Sequence, residues 1–572
     1  MNPFNTTVTR EGSAVRAQID PEQLAEYTRR GWWRERVLTQ DLVEHAQATP
    51  DKVAVVTHFH EHGERVITYR ELADIVDRIA TGLLELGVGQ GDVVSFQLPN
   101  WWHITAMHLA ATRIGAVSNI ILPILGRREV GFILDRVRPK VLVLPAKHRS
   151  TDFAETAAQV SADLDEAPQI FAITHGEQID LPAGVRSFED FFAGDEVAAK
   201  LDTARLDALT PDPNMVAQIQ YTSGTTGEPK GVVHTWNTAY AGALPPGEAT
   251  GLTAEDVLLV FSPMGHTTGF DTGVIMPIVA GQTAVLQDVW HPEVALRLTE
   301  KYGASWTMAA TPFIVDLCET AEKGDFDTSS LKQISSAGAP IPPSLIPRAK
   351  EILGARMYAV WGMTEVGPIT STWSNEDPLR ASESDGQAPE WSQVKIVGVD
   401  DEELPRGEEG RLVITGASNL IAYYLREDIF KSSHTSDGWF DTGDMARMDE
   451  RGAIRITGRI KDLVMRGGEN VPVVEIENLL RDHELISNIS IVGIPDDRLG
   501  ERAAAVVVAA DPARPPVLAD LSAHLEQRGV TRQFWPEYLT VIKEFPQTAT
   551  GKIQKFRIRE IAANPEDREE RS

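Results

Sequence analysis

Small hydroxyl residues, glycines and one lysine are concentrated in YTSGTTGEPKG, residues 221–231. The segment holds three glycines, three threonines, one serine and a single lysine. Backbone N–H groups and hydroxyls donate to phosphate oxygens, and a lysine offsets the phosphate charge. We therefore predict a polyphosphate-binding loop in which the cation is Lys230. The other predicted contacts are Thr222, Ser223, Gly224, Thr225, Thr226 and Gly227.

This loop is not a Walker A loop, which requires a Gly-Lys pair followed by Ser or Thr. Here Glu228 and Pro229 precede Lys230, and Gly231 follows it. Residues 215–221 alternate in the manner of a strand. We therefore expect the loop at a strand end, where α/β sheets bind ligands.

Composition limits the classes of protein that the chain can be. A chain of 572 residues is too long to fold around a single hydrophobic core, so two or more domains are expected. A net charge of −29 argues against binding to nucleic acid or to anionic membranes. A single cysteine, Cys318, excludes a disulfide framework and a Cys-rich metal site. With neither a signal pattern nor an apolar run of membrane-spanning length, we expect a cytoplasmic protein without an integral membrane segment.

Hydrophobic periodicity predicts the elements that position the loop. Residues 68–88 have apolar positions at helical spacing with Thr68 as N-cap, and residues 101–116 also read as a helix. Short buried strands are predicted at residues 92–98, 140–146, 257–263, 283–288, 305–312 and 356–362. Alternating strands and helices are typical of an α/β fold with parallel strands.

After about residue 395 the sequence pattern becomes typical of antiparallel strands. From about residue 459 it indicates a compact mixture of helices and strands. We predict a large N-terminal α/β domain, residues 1–458, with several subdomains of layered sheets and helices. A small, mobile α+β C-terminal domain follows at 459–572, with a disordered, charged tail near 564–572.

The segment 221–231 resembles the phosphate loop of the adenylate-forming enzymes. These comprise acyl- and aryl-CoA synthetases, adenylation domains of peptide synthetases, and beetle luciferase. Further matching segments follow in the family's order: SPMGHTTGF (262–270), SSAGAP (335–340), VWGMTEVG (360–367), DGWFDTGD (437–444), GRIKDLVMRGGENVPVVEIE (458–477) and FPQTATGKIQK (545–555). The resemblance therefore spans residues 221–555, and residues 1–200 match only in general texture.

The resemblance implies roles for single residues around the nucleotide. Thr364 would donate to the α-phosphate and Glu365 would hold Mg²⁺, because a carboxylate plus substrate phosphates is the usual magnesium arrangement. His266 would line the acyl pocket. The other implied nucleotide neighbours are Gly338, Ala339, Pro340, Trp361 (stacking on adenine), Asp444 (ribose hydroxyls) and Arg459 (ribose and phosphate).

The C-terminal part would carry the second half of the chemistry. Lys461 matches the family's hinge and Lys552 its catalytic lysine. Gly467, Gly468 and Glu469 would line the pantetheine channel. Met465 stands where many relatives have a lysine, which leaves the neighbouring Arg466 as a candidate cation for the CoA phosphates.

Together these matches imply an ATP-dependent acyl-CoA synthetase that uses Mg²⁺ and coenzyme A. It would join a small carboxylic acid to AMP with release of pyrophosphate, then transfer the acyl group to CoA. Three alternatives share the ATP segments: an enzyme that loads a carrier-protein phosphopantetheine, a luciferase-like oxygenase, and a non-catalytic nucleotide-binding protein. An apolar pocket formed by SPMGHTTGF, Trp236 and SSAGAP would favour a medium-chain, alicyclic or aromatic acid. The segment at residues 467–471 resembles that of short- and medium-chain fatty-acid and cyclohexanecarboxylate ligases. The sequence gives no oligomeric state.

Overall fold

The computed structural model describes residues 3–222, 229–338, 341–462, 464–466, 469–496, 499–547, 553–564 and 569–570. The chain divides into two compact units. The larger unit comprises Met1–Ser382, Ala388–Gln393 and Thr415–Gly438, and the smaller comprises Glu383–Gln387, Val394–Ile414 and Trp439–Ser572. The mobility of the small C-terminal domain and its bounds, residues 459–572, stay predictions.

The first large sheet of the larger unit contains the strand that precedes the phosphate loop. Six of its strands run parallel, and the last two are antiparallel to their neighbours. In spatial order the strands are Val185–Ser187, Gln169–Ile173, Val141–Pro145, Val93–Phe96, Val117–Ile120, Val216–Thr222, Lys230–Thr235 and Ala422–Tyr423. Most positions of the central strands are buried, as expected for a parallel sheet covered on both faces.

The second large sheet of this unit has a parallel centre with an antiparallel strand at each edge. In spatial order its strands are Gly367–Ser371, Arg356–Met363, Gln333–Ala337, Trp306–Ala309, Val257–Val260, Thr283–Gln287, Val53–Phe59 and Gly63–Thr68. The described residues also form two short hairpins, Thr7–Glu11 with Ala14–Gln18 and Lys147–His148 with Thr151–Asp152.

Helices cover these sheets. The predicted helix at 68–88 is confirmed as Tyr69–Glu85: Thr68 and Glu71 form its capping box, and Leu72, Val76 and Leu83 are buried on one face. The other α-helices are Pro21–Arg29, Leu38–Ala48, Trp102–Arg113, Arg127–Val137, Phe153–Ala162, Phe188–Phe192, Asp195–Lys200, Thr203–Asp207, Trp236–Ala243, Pro245–Thr250, Thr267–Phe270, Met276–Ala280, Pro292–Tyr302, Thr311–Ala321, Leu345–Leu353, Arg380–Glu383 and Glu427–Ser432.

Two predicted strands run three residues too far: the strand predicted at 257–263 ends at Val260, and the strand predicted at 305–312 ends at Ala309. After the second of these strands a helix begins at Thr311. Pro312 explains this second difference, because proline lacks an N–H and is favoured in the first turn of a helix.

Antiparallel strands dominate the remainder of the chain, as predicted. One sheet contains, in spatial order, the strands Ser392–Val397, Glu409–Gly416, Phe440–Met448 and Ile454–Arg459. The C-terminal sheet orders Glu469–Val471, Val464–Arg466, Gly500–Ala509, Tyr538–Ile542 and Glu569–Glu570, with Ile486–Asp496 also paired to Gly500–Ala509. The helices Val473–Arg481, Leu518–Gln527 and Lys555–Ala563 accompany this sheet. Within the described part of the chain, no helix has the length and apolar character needed to cross a bilayer.

Candidate functional site

Three predicted site segments follow parallel strands of the second large sheet, and two of these strands are neighbours. His266 follows Val257–Val260, Gly338 follows Gln333–Ala337, and Thr364 follows Arg356–Met363. Because parallel strands end at one edge of a sheet, these segments share that edge. Gly338 has a φ of 82°, a left-handed conformation that favours glycine. Ala339 and Pro340 lie outside the described residues.

The phosphate-loop segment is flanked by paired strands of the first large sheet. Thr222 ends one strand and lies opposite Lys230, which begins the next. The Lys230 ammonium lies 4.9 Å from the centroid of the Tyr423 ring, a cation–π distance. Predicted contacts outside the described residues are Ser223, Gly224, Thr225, Thr226 and Gly227.

Hydrogen bonds connect the strands Lys230–Thr235 and Ala422–Tyr423 of the first large sheet to the Thr364–Glu365 segment. His234 Nε2 lies 2.8 Å from the Thr364 carbonyl oxygen. The Tyr423 hydroxyl donates to Glu365 Oε1 over 2.8 Å, and the Leu420 N–H donates to the Glu365 carbonyl over 2.7 Å. The predicted hydroxyl and carboxylate thus lie beside the strand that begins with the predicted cation.

Burial strengthens the contact between Tyr423 and Glu365. Both residues are buried, with 3% and 6% of their surface exposed. Burial, together with the Glu365 charge and its hydrogen bond, raises the pKa of Tyr423 well above the usual value. The phenol therefore keeps its proton at physiological pH and remains a donor to the carboxylate.

His266 lies where the 262–270 segment enters a short helix. Its Nδ1 accepts the Thr268 N–H over 3.4 Å, so it caps the helix Thr267–Phe270. The Thr267 hydroxyl donates to Gln220 Oε1 over 3.1 Å. Gln220 belongs to the strand Val216–Thr222, so this segment also adjoins the phosphate-loop strand.

The carboxylates of this region suit a magnesium ion that arrives with its nucleotide. Among the described residues, no group of three or more His, Cys, Asp or Glu side chains could hold a metal by itself. Glu365 offers a single carboxylate, and Mg²⁺ is commonly bound by one or two carboxylates together with substrate phosphates. The Glu365 carboxylate would therefore fit Mg²⁺, which would neutralise the charge of a bound polyphosphate.

Two further predicted nucleotide contacts form an ion pair in the smaller unit. Arg459 Nε donates to Asp444 Oδ1 over 3.0 Å, and the two residues lie opposite one another in adjacent strands. Asp444 is buried, whereas about half of the Arg459 side chain is exposed (51%). Trp361, by contrast, lies in the larger unit on Arg356–Met363 and is 8% exposed.

The predicted hinge and pantetheine residues are only partly described. The backbone of Lys461 belongs to a short 3₁₀ turn, Ile460–Asp462, and Glu469 lies opposite Arg466 in a paired strand. The side chain of Lys461 and that of Glu469 lie outside the described part of the chain, as do Gly467, Gly468 and Lys552 as whole residues.

Arg466, the candidate cation for CoA phosphates, makes a bidentate ion pair. Its Nε and Nη2 donate to the two carboxylate oxygens of Glu537, both over 3.0 Å. Glu537 is 8% exposed, and it also lies 3.6 Å from Arg502 Nη1. Arg466 is therefore committed to a buried carboxylate of its own unit, which weakens its candidacy for CoA.

Comparison with known families identifies the chain. The family model "AMP-binding enzyme" matches residues 42–424, and "AMP-binding enzyme C-terminal domain" matches residues 475–552. The chain belongs to the AMP-binding enzyme family. It is therefore an adenylate-forming enzyme, and ATP is its nucleotide.

Curated relatives of this AMP-binding enzyme act on different acids. It is 32% identical to the medium-chain fatty-acid–CoA ligase of Escherichia coli K12, over 95% of this chain and 94% of that protein. It is 30% identical to a salicylyl-CoA synthase / salicylate adenylyltransferase of Streptomyces sp, over 96% of this chain and 98% of that protein. It is 28% identical to the 2,3-dihydroxybenzoate-AMP ligase of Bacillus subtilis, over 94% of this chain and 96% of that protein.

Solved structures of adenylate-forming enzymes share the fold. ATP-bound MatB from Rhodopseudomonas palustris superposes with a TM-score of 0.80 at 24% identity, covering 92% of this chain and 99% of that one. The Mycobacterium tuberculosis fatty acyl CoA synthetase gives a TM-score of 0.70 at 26% identity, covering 92% and 98%. The predicted α/β architecture with a large N-terminal and a smaller C-terminal domain is confirmed.

The residues that contact predicted site segments without being predicted themselves include His234, Tyr423 and Glu537. His234 contacts a residue 130 positions away, Tyr423 one that is 58 positions away, and Glu537 one that is 71 positions away. Only the proximity of His234 to Lys230 pointed to the site, since both stand in one strand.

Proposed function

We propose that this AMP-binding enzyme is an acid–thiol ligase that makes an acyl-CoA. The observation that carries the proposal is the contact network joining Lys230, Tyr423 and Glu365, with Thr364 beside it. A cation, a hydroxyl and a carboxylate that can share a metal are the groups that neutralise a triphosphate under attack by an acid. Support for CoA as the thiol acceptor comes from two relatives, one named as a CoA ligase and one as a CoA synthase.

The first half-reaction joins the acid to AMP. A carboxylate oxygen attacks the α-phosphorus of ATP, the bond from that phosphorus to the oxygen bridging to the β-phosphate breaks, and pyrophosphate leaves with its electron pair. Two anions approach each other, so charge neutralisation is the main demand. Lys230, Thr364 and Lys552 would supply donors, and Mg²⁺ on Glu365 would neutralise phosphate charge.

The second half-reaction forms the thioester. The CoA sulfur attacks the acyl carbonyl and its proton passes to solvent. The bond from the acyl carbon to the AMP oxygen breaks, and AMP leaves with the electron pair. In this proposal the loop with Gly467, Gly468 and Glu469 serves thiolysis, and Lys552 serves adenylation. Rotation about Lys461 would present the two in turn, a hinge change between two states.

The acid is proposed to be medium-chain, alicyclic or aromatic, with His266 in the wall of its pocket. The names of the relatives support this range, since they include a medium-chain fatty-acid–CoA ligase and a salicylyl-CoA synthase. A second candidate function is the loading of a carrier protein. It is favoured by a 29% identical relative from Mycobacterium tuberculosis named salicyl-AMP ligase / salicyl-S-ArCP synthetase.

The test separates the two half-reactions. Purified protein with Mg²⁺, ATP and a panel of carboxylic acids should exchange labelled pyrophosphate into ATP with at least one acid. Added CoA should then give acyl-CoA and AMP in equal amounts. Product only with a phosphopantetheinylated carrier protein would favour the second candidate, light emission with a luciferin would favour an oxygenase, and no exchange with any acid would refute adenylation.

Replacement of Lys552 tests the proposed division of labour. Lys552→Ala should slow pyrophosphate exchange by on the order of a hundredfold or more, the scale for loss of one preorganised donor. Thiolysis of a supplied acyl-adenylate should be largely spared. Lys543→Ala, at another lysine of the same unit, is the control variant. Equal losses in the two half-reactions of Lys552→Ala would contradict the division.

A further inference from the structure

His234 is a buried histidine whose two ring nitrogens both have partners. It lies in the strand Lys230–Thr235 and is 4% exposed. Its Nε2 is 2.8 Å from the Thr364 carbonyl oxygen, and its Nδ1 is 3.0 Å from the Thr238 hydroxyl. The imidazole therefore spans from the first helical turn after its own strand to the Thr364–Glu365 segment.

The partners define the tautomer of this ring. A carbonyl oxygen only accepts, so Nε2 must carry a proton. Burial lowers the pKa of His234 to about 4, so the ring is neutral at physiological pH and Nδ1 is an acceptor. The Thr238 hydroxyl then donates to Nδ1, while its oxygen accepts the Thr235 N–H over 3.0 Å. This chain of bonds gives the imidazole one orientation.

The Thr364 carbonyl belongs to the planar peptide group that joins Thr364 to Glu365, so its direction sets the orientation of that peptide. The next carbonyl, that of Glu365, accepts the Leu420 N–H over 2.7 Å. Two consecutive carbonyls are therefore held by groups from other elements. Both proposed functional side chains are attached to this held segment.

We propose that His234 is a positioning residue of the adenylation site, which aims the Thr364 hydroxyl and the Glu365 carboxylate by holding their shared peptide group. The inference rests on the proposed function, because it assigns these side chains to the polyphosphate and its metal. Its physical basis is that a misplacement of about 1 Å can cost roughly a hundredfold in rate.

Two amide variants separate the two ring contacts. Glutamine can place its amide nitrogen near the position of Nε2, whereas the shorter asparagine reaches only the position of Nδ1. His234→Gln should therefore keep the bond to Thr364, and His234→Asn should lose it. His103→Asn is the control, because His103 is also buried, at 3% exposure, and belongs to a different element, Trp102–Arg113.

Three measurements on each full-length variant test the inference: the affinity for Mg·ATP by calorimetry, the rate of pyrophosphate exchange, and thiolysis of a supplied acyl-adenylate. His234→Asn should bind Mg·ATP at least about fivefold more weakly and exchange at least about tenfold more slowly, within the roughly hundredfold scale for a misplaced group. For His234→Gln, the affinity for Mg·ATP and the rate of pyrophosphate exchange should both stay within about threefold of wild type. Thiolysis should change little in either variant.

The outcomes distinguish this inference from the proposed function. If wild type binds Mg·ATP but exchanges with no acid, the proposed function fails, and the Mg·ATP affinities of the Asn and Gln variants still decide the role of His234. Equal affinity and exchange in His234→Asn and His234→Gln would overturn the role. So would equal losses in exchange and thiolysis, or the same loss in His103→Asn. Absence of Mg·ATP binding by wild type would overturn both proposals.

Discussion

At the scale of single residues, Tyr423 connects two groups that sequence segments identified separately. Its ring lies under the Lys230 ammonium, and its hydroxyl donates to Glu365. A buried carboxylate that loses a hydrogen-bond donor is destabilised in its charged form, and its orientation becomes less defined. Tyr423 therefore fixes one oxygen of the proposed magnesium ligand.

Replacement of Tyr423 by phenylalanine removes the hydroxyl and keeps the ring below Lys230. Losing a partner for a buried polar group costs about 1 to 3 kcal/mol, which corresponds to roughly five- to a hundredfold in an equilibrium constant. We expect Tyr423→Phe to raise the magnesium concentration needed for half-maximal pyrophosphate exchange within that range. Glu365→Gln should have the same effect or a larger one.

Tyr424→Phe is the matched control, since Tyr424 packs in an apolar cluster of the first large sheet. Its magnesium dependence should equal that of wild type. An unchanged magnesium requirement in Tyr423→Phe would remove its positioning role, and an unchanged requirement in Glu365→Gln would remove Glu365 as the metal ligand.

At the scale of elements, hydrophobic periodicity predicted those whose burial follows a regular spacing. The helix Tyr69–Glu85 and the strand Val216–Thr222 fall within a few residues of their predicted bounds, because local capping and alternation define them. The residue pairs that join elements were not predictable. His234 with Thr364 and Tyr423 with Glu365 depend on which strands become neighbours, and no local pattern carries that information.

The paired strands Val464–Arg466 and Glu469–Val471 lie on either side of Gly467 and Gly468 in the sequence, and an ion pair holds the first strand. Arg466 makes its bidentate contact with Glu537, which lies just before the strand Tyr538–Ile542. The Glu537 charge raises the pKa of Arg466, which remains protonated. Removing one partner of this partly buried pair leaves the other charge without its counter-ion. The pair is therefore an anchor for the first of these strands.

Glu537→Gln removes the charge of the anchor while keeping its shape. We expect acyl transfer from a supplied acyl-adenylate to CoA to slow by about tenfold or more, since misplacement of a loop by about 1 Å can cost up to roughly a hundredfold. Pyrophosphate exchange should stay near the wild-type rate.

Asp482→Asn provides the control for this prediction, because it breaks an exposed ion pair of the same unit, 3.7 Å from Arg528 Nη2. Exposed pairs contribute little, so neither half-reaction should change in this variant. Equal slowing of both half-reactions in Glu537→Gln would show that the anchor supports the whole unit and not the thiolysis step.

At the scale of the whole molecule, buried ionisable groups couple stability to pH in opposing directions. Burial lowers the pKa of His108 to about 3 and that of His175 to about 4. Burial also raises the pKa of the Asp271 carboxyl well above its usual value. Buried neutral histidines make the fold less stable as pH falls, whereas buried protonated carboxyls do the reverse. The pH dependence of stability is the sum of the contributions of all these groups. The contribution of one group is therefore measured best by comparing a variant that lacks it with wild type.

His108 gives the cleanest reading, because it is 1% exposed and its Nδ1 lies 2.9 Å from the Ser118 hydroxyl. Its pKa is 6.5 when unperturbed and about 3 in the fold. Between these values the unfolded chain carries a proton that the native chain lacks. Stability therefore falls by about 1.4 kcal/mol for each pH unit of acidification through this window.

His108→Gln removes that proton from the unfolded state. Urea unfolding of variant and wild type between pH 6 and pH 4.5 should show slopes of the unfolding free energy against pH that differ by one proton, about 1.4 kcal/mol per pH unit. The shallower fall belongs to the variant, whatever its absolute stability. His60→Gln, at an exposed position, is the control. If the unfolding free energy of His108→Gln and of wild type had the same slope against pH, His108 would be protonated in the native state. Burial would then not keep the imidazole neutral.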